Sequence, residues 1–205
     1  MMSIDTSGFS CQNVGMTMTA APNDRQDAIL DAAFGVFAAY GYRRASMEDI
    51  AHAAGMSRTA LYLHFRSKDD IFRSLTARYF DACVAAMEAA LNAPGQSAET
   101  ALFNGFVAKD GKFMEVVLTT PHGAELLDAG LAISADLVQA AGARVTLALC
   151  RWLEMRGVPT GLGTARSLAE TIAAALTGLK SSSKSLADLR AGEAQLARLV
   201  ARALG

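Results

Sequence analysis

The sequence predicts an all-α protein, a three-helix head followed by a larger helical body, and three observations predict it. Alanine and leucine dominate while proline is scarce, with 4 in 205 residues. No apolar run alternates with polar residues between turn signals, as a half-buried strand would. Apolar residues instead recur three and four apart, behind Ser or Asn residues placed to accept from the free N–H groups of a helix start. At 52 % hydrophobic and 19 % charged, the chain has the material for a sizeable core.

Residues 1–22 stand apart. They hold no Lys or Arg and no continuous apolar block, so they fit neither a secretory signal nor a transit peptide. Their Ser, Thr, Gly and Asn content predicts a disordered tail, within which Met16 or Met18 competes with Met1 as the start. The head is expected over 23–67. Asn23 with Gln26 opens a first helix, carried by Ile29, Leu30, Ala33, Phe34, Val36 and Phe37 and stopped by Gly41. Ser46 with Asp49, and Ser67 with Asp70, have capping-box spacing with Asp in place of the usual Glu or Gln.

Residues 46–68 read as two short helices folded across a tight turn. The first helix needs a small residue where the second crosses it, the turn needs a residue that tolerates positive φ, and the second helix needs a buried anchor. Ala51, Gly55 and Leu61 supply these in order, with Ile50, Ala54 and Met56 filling the other inward positions. Ser57, Arg58, Thr59, Tyr62 and His64 then fall on or near the exposed side. This is a helix-turn-helix, and it makes double-stranded DNA the leading partner, although helical hairpins with a glycine turn also occur in bundles that touch no nucleic acid. Charge favours DNA: Arg43, Arg44, Arg58, Arg66 and Lys68 outnumber Glu48 and Asp49 in this window, whereas the whole chain is −1.

The run from Ser46-Met47-Glu48-Asp49-Ile50-Ala51 through Gly55-Met56-Ser57 to Leu61-Tyr62-Leu63-His64-Phe65-Arg66-Ser67-Lys68 resembles the amino-terminal domain of TetR-type (TetR/AcrR) transcriptional regulators. The resemblance covers about residues 24–72 and fades beyond 75. It implies that Ser57, Arg58 and Thr59 enter the major groove, with Arg58 donating its planar fork to guanine O6 and N7. It places Tyr62, His64 and Lys68 against phosphate or sugar, with Lys68 adding charge to a helix start suited to an anion, and makes Arg43 and Ser46 further phosphate contacts. Packing beside Leu61 and Phe65 is the alternative for Tyr62 and His64. Some family members reach the minor groove with an amino-terminal arm, an option the lack of basic residues in 1–22 disfavours.

The body is expected over 68–205. A long helix runs from Lys68 to about Leu91, roughly 35 Å at the helical rise, enough to act as a lever between head and body. Further helices are predicted at 98–109, 112–118, 123–130, 133–156, 163–180 and 185–204, separated by Pro121, Gly157-Val158-Pro159 and Ser181-Ser182-Ser183. Leu168, Ile172 and Leu176, then Leu189, Leu196 and Val200, form stripes at helical spacing, and Ala173, Ala174 and Gly178 allow close approach of another helix. The family resemblance implies a homodimer built on these two helices; packing within one subunit is the alternative. Phe103, Phe106, Met114 and Trp152, with His122 and Arg144 as polar anchors, are candidates for a cavity that takes a small apolar or weakly polar effector.

Other classes are disfavoured. The chain has no Gly-x-Gly-x-x-Gly, Gly-x-Ser-x-Gly, Walker or His-Glu-x-x-His motif, so neither an enzyme nor a cofactor is expected. Cys11, Cys83 and Cys150 are odd in number and lack ligand spacing, which predicts a reduced cytoplasmic setting without metal. No apolar stretch is expected to span a membrane. The implied function is a repressor released from a palindromic operator by its effector through a population shift; the alternative is a ligand-independent DNA-binding or nucleoid-organising dimer.

Overall fold

A computed structural model describes residues 24–205, among which every regular element is helical. The expectations for residues 1–22, for Cys11 and for Asn23 lie outside the described residues. The helices are α1 Asp24–Tyr40, α2 Met47–Ala53, α3 Arg58–Tyr62, α4 Lys68–Leu91, α5 Ala98–Thr119, α6 Gly123–Arg156, α7 Ala165–Ser182 and α8 Leu186–Leu204. A short 3₁₀ turn, Thr160–Leu162, precedes α7.

Side-chain caps fix most of these starts. Ser46 accepts from the Asp49 amide while Asp49 returns a bond to the Ser46 amide, a complete capping box. Ser57, Ser67, Ser97 and Ser185 each accept from the amide three residues on, at 3.1 Å in all four cases. The Ser67 box is incomplete, because Asp70 accepts from the Arg66 amide one residue earlier.

Apolar side chains gather in two cores. The head core joins Ile29, Phe37, Ile50, Leu61 and Phe65 to Ile71 and Phe72 of α4, and takes Leu126 and Ala129 from α6. The body core holds Met87, Leu91, Leu102, Phe106, Leu149, Trp152, Ile172, Leu176 and Val200. Both α4 and α6 therefore run through the two cores and tie head to body.

Two expected breaks are kinks. Segments 98–109 and 112–118 merge into α5, which bends at Gly111 (φ 53°, ψ −167°). Segments 123–130 and 133–156 merge into α6, which bends at Ser134 (φ −135°, ψ 29°). At the second bend the Arg73 guanidinium of α4 donates to the Ile133 carbonyl at 3.1 Å and to the Asp136 carboxylate. It thus satisfies an oxygen that the distorted turn exposes. By composition alone α6 is long and apolar enough to cross a bilayer, with a window of mean hydropathy 1.3, contrary to the sequence expectation. Leu126 of this helix sits in the head core and Leu149, Trp152 and Leu153 sit in the body core, while Leu131, Leu147 and Met155 are exposed.

Candidate nucleic-acid interface

The α2–α3 unit is held by the three residues that its geometry requires. Ala51 and Leu61 are buried at the crossing, and Gly55 turns the chain at φ 65°. The Gly55 amide donates to His52 O at 3.1 Å and the Met56 amide to Ala51 O at 3.0 Å, closing the turn. A side chain at Gly55 would meet no atom within 4 Å, so left-handed backbone, not space, selects glycine there. Ile50 and Phe65 complete the buried side.

The opposite side is polar and open. Ser57, Arg58, Thr59 and Arg66 are exposed, Tyr62 is 44 % exposed and His64 is half-buried. Arg58 is held loosely, with Nη1 3.6 Å from a Glu48 carboxylate oxygen and its guanidinium carbon 5.7 Å from the Tyr62 ring centre. Its guanidinium pKa rises above the ordinary value, chiefly through Tyr62 and less through Glu48. Arg58 thus keeps its charge and projects from the first turn of a helix that a major groove about 12 Å wide can admit.

Arg43 and Arg44 extend this surface on the α1–α2 turn, both exposed. The Arg43 amide donates to Glu125 Oε1 of α6 at 2.5 Å, leaving its side chain outward. The Ser46 hydroxyl is engaged within its own cap, donating to Asp49 at 2.6 Å. The Lys68 ammonium is turned inward onto the carbonyls of that same turn. Sequence reasoning missed Leu63, the most exposed large apolar side chain of the unit at 82 %, and the Glu48–Arg58 pair. Leu63 sits two residues after the buried Leu61, so helical spacing already turned it outward.

The candidates for an effector site do not converge. Phe106, Met114 and Trp152 are fully buried, and Trp152 Nε1 donates to Leu91 O at 2.8 Å. Phe103 packs against the body core. His122 caps α6 with Nδ1 3.9 Å from Glu125, at the head junction. Arg144 forms a surface ion pair with Asp81 of α4 and anchors no cavity. An open cleft of about 690 Å³ between α4 and α6 is edged by Trp152, Arg151 and Glu88 but by none of the other candidates, and one of about 480 Å³ between α1 and α4 is edged by Asp27 and Arg78. No group of three or more His, Cys, Asp or Glu residues able to hold a metal occurs among the described residues.

The stripes expected to face a partner point inward instead. Ile172, Leu176, Leu189 and Val200 are buried within their own subunit, and Leu168 and Leu196 pack against the same body core. The outward face of α7 carries Ser167, Thr171, Ala174, Gly178 and Ser181. α7 packs on α6 and α8 packs on α5, so each helix turns its apolar stripe toward a neighbour in its own subunit.

Residues 29–75 match the family model described as bacterial regulatory proteins, tetR family. The head is a tetR-family domain. The chain is 33 % identical over 111 residues to the HTH-type transcriptional repressor ComR of Escherichia coli (strain K12), which spans 54 % of this chain and 52 % of ComR. It is 38 % identical over 69 residues to the HTH-type transcriptional activator FasR of Mycolicibacterium smegmatis, 34 % of this chain and 32 % of FasR. The chain thus spans about half the length of ComR and a third of that of FasR. The solved structure of SmeT, the repressor of a Stenotrophomonas maltophilia multidrug efflux pump, superposes with a TM-score of 0.62 at 19 % identity, covering 87 % of this chain and 89 % of SmeT. A transcriptional regulator from Rhodococcus sp. Rha1 gives 0.65 at 20 % identity, over 86 % of this chain and 96 % of its own. At such identities these structures establish the fold alone, a helix-turn-helix head carried on an all-α body.

Proposed function

We propose that this protein is a DNA-binding transcriptional regulator acting in the cytoplasm, a repressor that binds a palindromic operator as a homodimer. The observation that carries this reading is the α2–α3 unit: a buried hinge of Ala51, Gly55 and Leu61 that holds Ser57, Arg58 and Thr59 outward on a locally basic face. Arg58 reads a base edge, and Tyr62, His64 and Arg43 meet the backbone, while Ser46, whose hydroxyl and amide protons both go to Asp49, holds the cap. A small apolar or weakly polar effector, bound in the body, shifts the head through α6, whose Glu125 holds the Arg43 amide and whose Leu126 and Ala129 sit in the head core. Such a shift needs unequal affinity of the effector for the two arrangements, and tight binding alone would accomplish nothing.

Selection of bound fragments from a random duplex pool tests the reading. A recovered palindrome with half-sites one helical turn apart, roughly 34–36 Å, supports it; no enrichment at low ionic strength ends it. The second reading, a DNA-binding dimer without an effector, is favoured by the close packing of Phe106, Met114 and Trp152. Release of the selected operator by a panel of small lipophilic compounds distinguishes the two, since only the first reading permits it.

A further inference from the structure

Lys68 stands first in α4, where its charge and position mark it as a phosphate ligand. Its surroundings direct its ammonium elsewhere. Nζ lies 2.8 Å from the carbonyl oxygen of Tyr42, 2.9 Å from that of Ala45 and 3.3 Å from that of Arg43. It also sits 4.5 Å from the centre of the Tyr42 ring, in a half-buried position. The Tyr42 hydroxyl donates to the carboxylate of Asp69, the next residue of α4. The Tyr42 ring packs against Phe37 and Phe72, with centroids 5.6 and 5.0 Å away. An ammonium has three donors and no acceptor, and three carbonyls take all three. Those carbonyls follow the end of α1, where the chain has left the helix and its oxygens lack the amides of a next turn.

We propose that Lys68 is a positioning residue for DNA binding: it clamps the α1–α2 turn onto the start of α4 and so fixes Arg43 and Arg44 where they meet phosphates, without touching nucleic acid itself. This rests on the DNA-binding reading of the head. The clamp needs a compact group with three donors converging on one point. An arginine keeps the charge and binds phosphate at least as well, but its planar fork spreads its donors and does not reproduce that convergence.

The experiment compares the wild type with Lys68→Ala and Lys68→Arg on the selected operator across a salt series, and follows hydrogen exchange at the Ala45 amide, which bonds Gly41 O at 3.2 Å. We expect both variants to lose operator affinity by about tenfold or more, because the hydrogen bonds from a charged group that hold the turn are lost. The Ala45 amide should exchange faster in both, and Lys68→Arg should match Lys68→Ala in its affinity and its salt slope, because both release Arg43 and Arg44 from their phosphates. Full affinity in Lys68→Arg, with a slope lowered by about one in Lys68→Ala, is the signature of a phosphate contact and overturns the proposal. Should the wild type bind no duplex, the DNA reading fails by itself. The exchange arm then still decides the clamp: faster exchange in both variants supports it, and unchanged exchange removes it.

Discussion

Arg58 projects from the amino end of α3 with few ties to the fold, and its truncation separates recognition from stability. Its contacts are a 3.6 Å approach to Glu48 and the Tyr62 ring, both on the surface. Arg58→Ala should weaken operator binding by about tenfold or more and relax preference at one base pair, as loss of a bidentate guanine contact does. The melting temperature should stay nearly unchanged, since exposed side chains away from caps and cores contribute little. Titration of the selected operator and its single-base variants checks this; undiminished discrimination would remove Arg58 from the reading set. A second residue-scale case lies deep in the body, where Asp110 and Glu193 are both fully buried. Lys109 Nζ is 2.6 Å from Asp110, and Arg190 Nη1 is 2.6 Å from Glu193 and 3.3 Å from Asp110, with Lys180 3.6 Å away. Burial works against ionisation of Asp110, but Lys109 and Lys180 outweigh it and hold its carboxyl below the ordinary value. Burial, and then contact with Asp110, push the Glu193 carboxyl up. Glu193 Oε1 has no hydrogen-bond partner and lies 3.6 Å from Lys109 Nζ. The signs follow from linkage. The stability from Asp110 is present above its unfolded value near 3.8 and is lost as pH falls through its lower folded value. The contribution of Glu193 is complete below about 4.5 and decays as pH rises toward its raised folded value. Glu193→Gln keeps the shape and removes that decay, so its melting temperature should vary less with pH than that of the wild type above about pH 4.5. Equal slopes by calorimetry would show that Glu193 is ionised throughout.

At the scale of elements, two glycines with positive φ face different constraints. Gly41 ends α1 at φ 79°, and a side chain there would collide with Glu125 Oε2 and lie 3.1 Å from His122 Nδ1. Gly55 has the strain without the neighbour. Gly55→Ala should therefore cost about 1–2 kcal/mol, the ordinary penalty of left-handed backbone. Gly41→Ala should cost more, because Glu125 must swing away and release the Arg43 amide. Glu125→Ala in the same chain should remove most of the excess; full additivity in that double-mutant cycle would show that the α1–α2 turn and α6 are not coupled. The elements themselves were legible because their determinants are local. Ser46, Ser57, Ser67 and Ser185 announce helix starts, and Gly55 between Ala51 and Leu61 announces the turn. The kinks were legible only as interruptions, since Gly111 and Ser134 bend a helix that local spacing cannot tell from two. Packing partners were not legible. The stripe of Ile172, Leu176, Leu189 and Val200 marks one face of each helix, and nothing in one dimension says whether that face meets its own subunit or another. Phe106, Met114 and Trp152 posed the same ambiguity between core and cavity, and Lys68 faced carbonyls that a sequence does not display.

In the whole molecule, the inward leucines leave α7 with an outward face of small residues. Gly178 stands on that face, exposed, and a side chain there meets no atom of its own subunit within 4 Å. If two subunits pair through this face, small residues let the helices approach closely and any large side chain holds them apart. Gly178→Arg should therefore leave the helical content and melting of the subunit nearly intact while converting a dimer to a monomer in sedimentation at micromolar concentration. DNA binding reads the same event independently. A palindromic operator gains from two linked heads by effective concentration, typically a hundredfold or more over a single half-site. The variant should lose that gain on the palindrome and keep wild-type affinity for an isolated half-site, because α2 and α3 belong to a core that α7 does not enter. A dimer that persists in the Gly178→Arg variant, still binding the palindrome at full strength, would move the subunit contact to another face of the body.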